Sequence, residues 1–299
     1  MRITVFTPTF NRAYIIEKLY QSLKKQTFRD FEWIVINDGS IDNTNELFKE
    51  IMIDSHDFSI RYFSVPNGGK HRAINLGVNL AQGELFFIVD SDDYLTDNAL
   101  EIIDNIEKGI PQAKKNEFAG ICGLRGYDEK NYIGTTFEKE NQDTLDITVL
   151  EREKYNISGD KSEVFYTSIL KKYPFPEFKN EKFVTECVVW DKIAHDNYKL
   201  RFFNEIIYIC NYLPDGLTAN YKQSLIKSPK GYALYIYQSD KYKKIKGLEK
   251  WKTYYCYYNE ERDNLNYFQM SKYLHMNFFK FYFRILGMKI FYTLYDKYE

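Results

Sequence analysis

No run in this 299-residue sequence approaches the ~20 consecutive apolar residues that a bilayer-spanning helix needs. Cysteine is scarce. Cys122, Cys187, Cys210 and Cys256 lack the paired spacing of metal-binding or redox motifs, and a chain of this size needs no disulfide frame, so a reducing cytosol is expected. Met1 leads straight into the strand-like stretch Arg2 to Phe6, without the charged, apolar and cleavage regions of a secretory leader. The expected location is the cytoplasm, with at most a peripheral place on the inner face of the cell membrane. A net charge of −1 argues against a large nucleic-acid footprint. No internal repeat or low-complexity linker is visible.

What is present is unevenly distributed. Residues 221–299 hold 15 Lys and Arg against 7 Asp and Glu, so the first 220 residues carry −9 and the remainder +8. That basic tail also holds 22 of the 53 aromatics. Residues 278–298 mix apolar and basic side chains at helical spacing, which suits an aromatic helical region packed on protein or an amphipathic surface at a membrane.

Earlier in the chain, strand-like and helix-like segments alternate as in an α/β fold with crossover helices. Strands are expected at 2–6, 31–36, 60–63, 85–89 and 164–168. Helices are expected around Ile15, Leu19 and Leu23, around Leu47 and Ile51, over 71–81, after Thr96 as N-cap, and over 183–195. The polar stretch 108–157 reads as loops and short strands. The fold class is therefore α/β, a Rossmann-like, mostly parallel mixed sheet flanked by helices, followed by an aromatic-rich helical C-terminal region.

The most apolar strand, Leu85 to Val89, runs directly into Asp90, Ser91, Asp92 and Asp93. Ligands of open α/β sheets bind beyond the carboxyl ends of the strands, so these carboxylates belong on the rim of a site. Their mutual repulsion calls for a cation, and oxygen-only ligands suit Mg²⁺ or Mn²⁺ shared with phosphates. Two more turn-rich segments follow strands: Thr7, Pro8, Thr9, Phe10, Asn11, Arg12 after the first, and Asn37, Asp38, Gly39, Ser40, Ile41, Asp42 after the second. All three face one crevice if the sheet is parallel.

Together with Asn67, Gly68, Gly69, Lys70, His71, Arg72 and Ala73, these segments resemble, in order and spacing, the family 2 glycosyltransferases of GT-A fold. The resemblance is strong over about 1–110 and fainter to Gly216. It implies a catalytic domain over 1–220, with a nucleotide-sugar-binding half at 1–110 and an acceptor half at 111–220, and a helical extension at 221–299. It also implies a donor site in which Thr7, Pro8, Thr9, Asn11, Arg12 and Asp38 hold the nucleoside, Asp38 meeting a base expected to be uracil. Asp90, Ser91 and Asp92 match the DxD motif, with Asp92 as ligand of Mn²⁺ or Mg²⁺ and Asp90 on the ribose or the ion's water shell. Asp93 is read as structural. Lys70 and Arg72 would neutralise phosphate. The family places a catalytic base in a later acidic pair; here Glu186 fills that place, Cys187 replaces the second acid, and Glu181 and Asp191 are the reserves.

The implied activity is metal-dependent, inverting transfer of a hexose from a UDP-sugar to a glycan or lipid-linked acceptor in surface polysaccharide assembly. Two alternatives stay open. One is a non-catalytic nucleotide-sugar-binding scaffold, and the other is a nucleotidyltransferase, which would carry a basic Gly-rich loop where this chain has residues 7–12.

Overall fold

The computed structural model describes residues 1–54, 56–138 and 143–295, with side chains described as far as residue 293. The chain divides into two compact units, Met1–Phe175 with Ile193–Ala219, and Pro176–Lys192 with Asn220–Glu299.

The first unit is built on one mixed sheet. Strands β1 (Ile3–Thr9), β2 (Phe31–Asn37), β3 (Ser59–Ser64) and β4 (Leu85–Ile88) are mutually parallel, in the order β3-β2-β1-β4. Every residue of β1, β2 and β4 is buried, as expected of strands covered on both faces. Helices α1 (Glu17–Lys24), α2 (Thr44–Ile53) and α3 (Lys70–Leu80) make the crossovers. Their inner faces carry Leu19 and Leu23, then Phe48 and Ile51, then Ile74 and Val78. Gly77 on α3 allows the helix to approach the sheet, since a Cβ there would lie 2.2 Å from the Phe6 ring.

Past β4 the sheet becomes mixed. It continues through β5 (Tyr94–Leu95), β6 (Phe118–Gly126), β7 (Thr144–Ile147), β8 (Lys161–Tyr166) and β9 (Lys199–Ile209). The order runs β4-β8-β6-β9-β5, with β7 also on β9. Strand β8 is antiparallel to β4 and β6, whereas β6 and β9 are parallel. Helices α4 (Ala99–Lys108) and α5 (Thr167–Lys172) pack on this half.

The interior strand β6 lies inside the stretch that the sequence assigns to loops and short strands. Glycines at 120, 123 and 126 interrupt its pattern, yet they are packing necessities: a Cβ on Gly123 would lie 2.6 Å from the Phe203 ring. The expected helix after Thr96 begins at Ala99, with Asn98 at the N-cap position; the Thr96 hydroxyl instead bonds the Ile206 carbonyl of β9.

The second unit is helical. Helix α6 (Cys187–His195) begins in it, and α7 (Tyr221–Ile226), α8 (Pro229–Lys241), α9 (Gly247–Glu261), α10 (Tyr267–Tyr273) and α11 (Phe278–Tyr295) complete it. Its core is aromatic, with Tyr232, Tyr254, Tyr257 and Phe281 around Ile236, Met270, Leu274 and Ile285. Among the described residues no helix is long and apolar enough to cross a membrane.

Candidate functional site

The carboxyl ends of β1, β2 and β4 carry the three loops that the sequence singles out, and hydrogen bonds stitch the first two together. The Asp38 N–H donates to the Thr9 carbonyl at 2.8 Å, and the Asn11 N–H donates to Ser40 Oγ at 2.8 Å. Asn11 Oδ1 accepts from the Ile41 N–H, and Asp42 accepts from the Ala13 N–H while also bonding Thr44. Asp42 is buried enough to favour the neutral acid, but the bonds from Thr44 and Ala13 prevail and hold its carboxyl below the usual range. Asn11 itself adopts a left-handed φ of 53°, a conformation in which Asn is enriched.

Asp38 joins a fourth loop to these. Its carboxylate accepts the N–H groups of Gly68 (2.7 Å) and Gly69 (2.8 Å), and Asn67 Nδ2 donates to its carbonyl at 2.7 Å. The loop between β3 and α3 is thereby tied to the end of β2. Gly39 permits the close approach: its φ is 77°, and a Cβ there would sit 2.7 Å from the Asn67 nitrogen. The sequence assigns Asp38 to a base; the structure adds this bracing role.

The brace sets the start of α3 and therefore Lys70. Its ammonium lies 2.6 Å from Asp90 Oδ1, at the end of β4. Burial alone would raise the Asp90 pKa, but the charges of Lys70 and Arg125 outweigh it and keep the carboxyl below its usual range. Asp92 shifts the other way, raised by burial and by the charge of Asp90, while Arg12 and Lys70 pull it down. Asp90, Asp92, Arg12 and Lys70 thus form one electrostatic group. Arg72, paired with Lys70 in the sequence reading, folds its guanidinium back onto the Gly68 carbonyl.

The turn holding Asp90 and Asp92 is anchored by residues that no local pattern reveals. Tyr208 Oη, fully buried on β9, accepts the Asp90 N–H at 3.0 Å and donates to Asp93 Oδ2 at 2.7 Å. The Asn211 N–H donates to Asp93 Oδ1 at 2.6 Å, and its side chain donates to the Asp92 carbonyl. The Arg125 guanidinium lies 4.3 Å from the centre of the Tyr208 ring. Burial, with the charge of Asp90 next, pushes the Asp93 carboxyl up to about 7. Asp93 therefore points into the protein and holds the turn. Only its position next to the DxD pattern was legible in advance; Tyr208, Asn211 and Arg125 lie over thirty residues away in sequence.

Other expected residues sit as follows. The Thr7 hydroxyl accepts from Trp33 Nε1 at 2.9 Å. Thr9 Oγ1 is buried and finds no hydrogen-bond partner among the described residues, a group that a bound ligand would satisfy. Pro8 lies between them in β1, and Ser91 is buried in the acidic turn. Arg12 pairs with Asp215 at 2.8 Å, and the Tyr14 hydroxyl bonds the same carboxylate.

Glu186 lies in the second unit, half-buried, just before α6. Of its reserves in that unit, Glu181 accepts the N–H groups of Lys230 and Gly231 at the start of α8, and Asp191 pairs with Lys244 at 2.6 Å.

No group of three or more His, Cys, Asp or Glu placed to hold a metal occurs among the described residues. A divalent cation shared with a diphosphate needs only one or two carboxylates, because waters and phosphate oxygens complete its shell. Asp90 and Asp92 fit that requirement: both are oxygen donors, and their repulsion is what a cation would relieve.

Comparison with known proteins gives concordant results. The sequence model of glycosyl transferase family 2 matches residues 4–160. A GalNAc(5)-diNAcBac-PP-undecaprenol beta-1,3-glucosyltransferase of Campylobacter jejuni is 30% identical over 201 residues, 63% of this chain and 58% of that protein. The Streptococcus pneumoniae glycosyltransferase GlyG is 34% identical over 102 residues, 34% of this chain and 33% of its own length. The match thus spans less than two thirds of either relative. Among solved structures, S. aureus TarS 1-349 in complex with UDP-GlcNAc superposes with a TM-score of 0.56 at 21% identity, covering 88% of this chain and 73% of that one. The mannosyltransferase PcManGT from Pyrobaculum calidifontis, in complex with GDP-Man and Mn²⁺, gives 0.51 at 18% identity, covering 80% and 64%. At these identities the structural likeness establishes the fold.

Proposed function

The chain belongs to glycosyl transferase family 2, and from that premise we propose that it transfers a hexose from a UDP-sugar, with inversion, to a glycan or lipid-linked acceptor in surface polysaccharide assembly. The observation that carries this reading is the convergence of Asp90, Asp92, Lys70 and Arg12 on the rim where Asp38 ties three loop segments together. Such a rim suits a nucleoside diphosphate: acceptors for a base on one side, cations and a carboxylate pair for phosphates on the other. Thr9 adds a buried hydroxyl in want of a partner.

Asp92, with Asp90, would hold Mn²⁺ or Mg²⁺, which stabilises the negative charge of a departing diphosphate when bound. Lys70 and Arg12 supply the same kind of stabilisation from the protein. Lys70 has a second task, to keep Asp90 ionised and correctly placed. The clamp of Asp38 on Gly68 and Gly69 orients the first turn of α3, and so the ammonium.

Glu186 is assigned as the base that takes the acceptor hydroxyl's proton. The reaction is placed in the cytoplasm.

Transfer measured with and without Mn²⁺ across UDP-, GDP- and dTDP-sugars tests base and metal together; metal-independent turnover, or a preference for GDP-sugars, would overturn the assignment. The replacement of an acid by Cys187 favours one rival, a scaffold that binds the donor without consuming it. Glu186→Gln separates the two. Retained UDP binding with lost transfer supports the enzyme, whereas wild-type protein that binds UDP and consumes no sugar donor supports the scaffold.

A further inference from the structure

Helix α11 is apolar on both its inward and its outward sides: Phe281, Ile285 and Met288 are buried. Arg284 is turned inward, buried against the rings of Trp251 and Tyr254, and Lys289 donates to the hydroxyls of Tyr258 (2.8 Å) and Tyr267 (3.3 Å). The outward side carries Phe278, Phe279, Tyr282, Phe283, Leu286 and Ile290 at spacings of three and four, one continuous face. Phe279 is 66% exposed, Phe283 62% and Ile290 53%. The exposed Trp251 of α9 extends the patch, since its ring lies beside Gly287. A helix apolar on all sides is normally covered on all sides.

We propose that this outward face of α11, with Trp251, rests on an anionic lipid surface. The choice of occupant rests on charge. The region from Tyr221 onward carries a surplus of 8 positive charges, and Lys252, Lys272 and Lys280 are exposed on α9, α10 and α11. A second copy docking through this region would bring one positive surplus against another, whereas anionic headgroups would offset it. Tyr282 and Trp251 combine an apolar ring with a polar edge, a combination suited to a headgroup boundary.

The test uses the full chain and co-sedimentation with vesicles, a readout independent of donor binding and transfer. Wild-type protein is expected to pellet with phosphatidylglycerol-containing vesicles and not with phosphatidylcholine alone, and added salt should weaken the binding. Phe279→Ser, Phe283→Ser and Ile290→Ser combined should lower partitioning by at least ~10-fold with the circular dichroism spectrum unchanged. Lys252→Glu, Lys272→Glu and Lys280→Glu combined should weaken it as well. Three results would overturn the proposal: no pelleting with anionic vesicles, binding unaffected by the serine substitutions, or a wild-type dimer that those substitutions convert to monomer.

Discussion

The Lys70 ammonium is 2.6 Å from Asp90 Oδ1, so a cation at the first residue of one helix neutralises a carboxylate at the end of a neighbouring strand. The pair is possible because α3 begins where Asp38 pins Gly68 and Gly69. Lys70 is thus partner to Asp90 and also a candidate for the diphosphate, and the two functions should fail together.

Lys70→Met removes both. Affinity for UDP is expected to fall by roughly 10-fold, in keeping with the loss of one charge-assisted contact. Lys70→Arg should restore part of it. Isothermal titration with UDP reads the change directly, and wild-type affinity in Lys70→Met would show that Lys70 acts only within the protein.

Substitution at Asp38 separates bracing from recognition. Asp38→Ala leaves two backbone donors without their acceptor, at a cost of about 1–3 kcal/mol for each that water cannot reach. The melting temperature should drop and UDP binding vanish. Asp38→Asn keeps one acceptor oxygen, so a smaller loss of stability with a large loss of UDP affinity is expected. Thermal melts beside UDP titrations distinguish the two effects, and equal UDP affinity in Asp38→Asn and wild type would remove Asp38 from base recognition.

How much was legible in the sequence depends on how far apart the participating residues lie. Residues 7–12, 37–42, 67–72 and 90–93 are contiguous segments at strand ends, and their order alone placed the rim. The apolar runs likewise located β1, β2 and β4. Strand β6 was hidden because its glycines imitate turn signals while serving to admit Phe203. Tyr208, Asn211 and Arg125 were hidden for another reason: their value to Asp90 and Asp93 exists only after β9 and β6 pair. The bracing role of Asp38 had no signal at all, since an Asp-Gly turn looks the same whether or not another loop docks on it.

Asp92 and Tyr208 should respond oppositely. Asp92→Asn removes a charge that burial and Asp90 both disfavour, so stability is expected to hold or rise while Mn²⁺ binding is lost. Tyr208→Phe deletes the acceptor of the Asp90 N–H and the donor to Asp93, which should cost about 1–3 kcal/mol. Mn²⁺ titration by electron paramagnetic resonance, paired with urea unfolding, checks both. Unaltered Mn²⁺ affinity in Asp92→Asn would dismiss it as a ligand.

A last prediction concerns Glu261 in the helical unit, which is 1% exposed with Oε1 lacking a partner among the described residues. Burial, with the charges of Glu260 and Glu181 adding to it, pushes its carboxyl from 4.5 up to about 7. In that interval the folded chain keeps a proton that the unfolded chain releases. The favourable contribution is therefore complete below about pH 4.5 and is lost as pH rises through about 7, above which the ionised group is a burden. Glu261→Gln carries no such titration. Relative to wild type it should gain of order 2 kcal/mol of stability at pH 8, and the difference should shrink steadily toward pH 5. Urea unfolding of both proteins across this range provides the measurement. A constant difference between the two curves would mean that Glu261 ionises normally and that the substitution acts through packing alone.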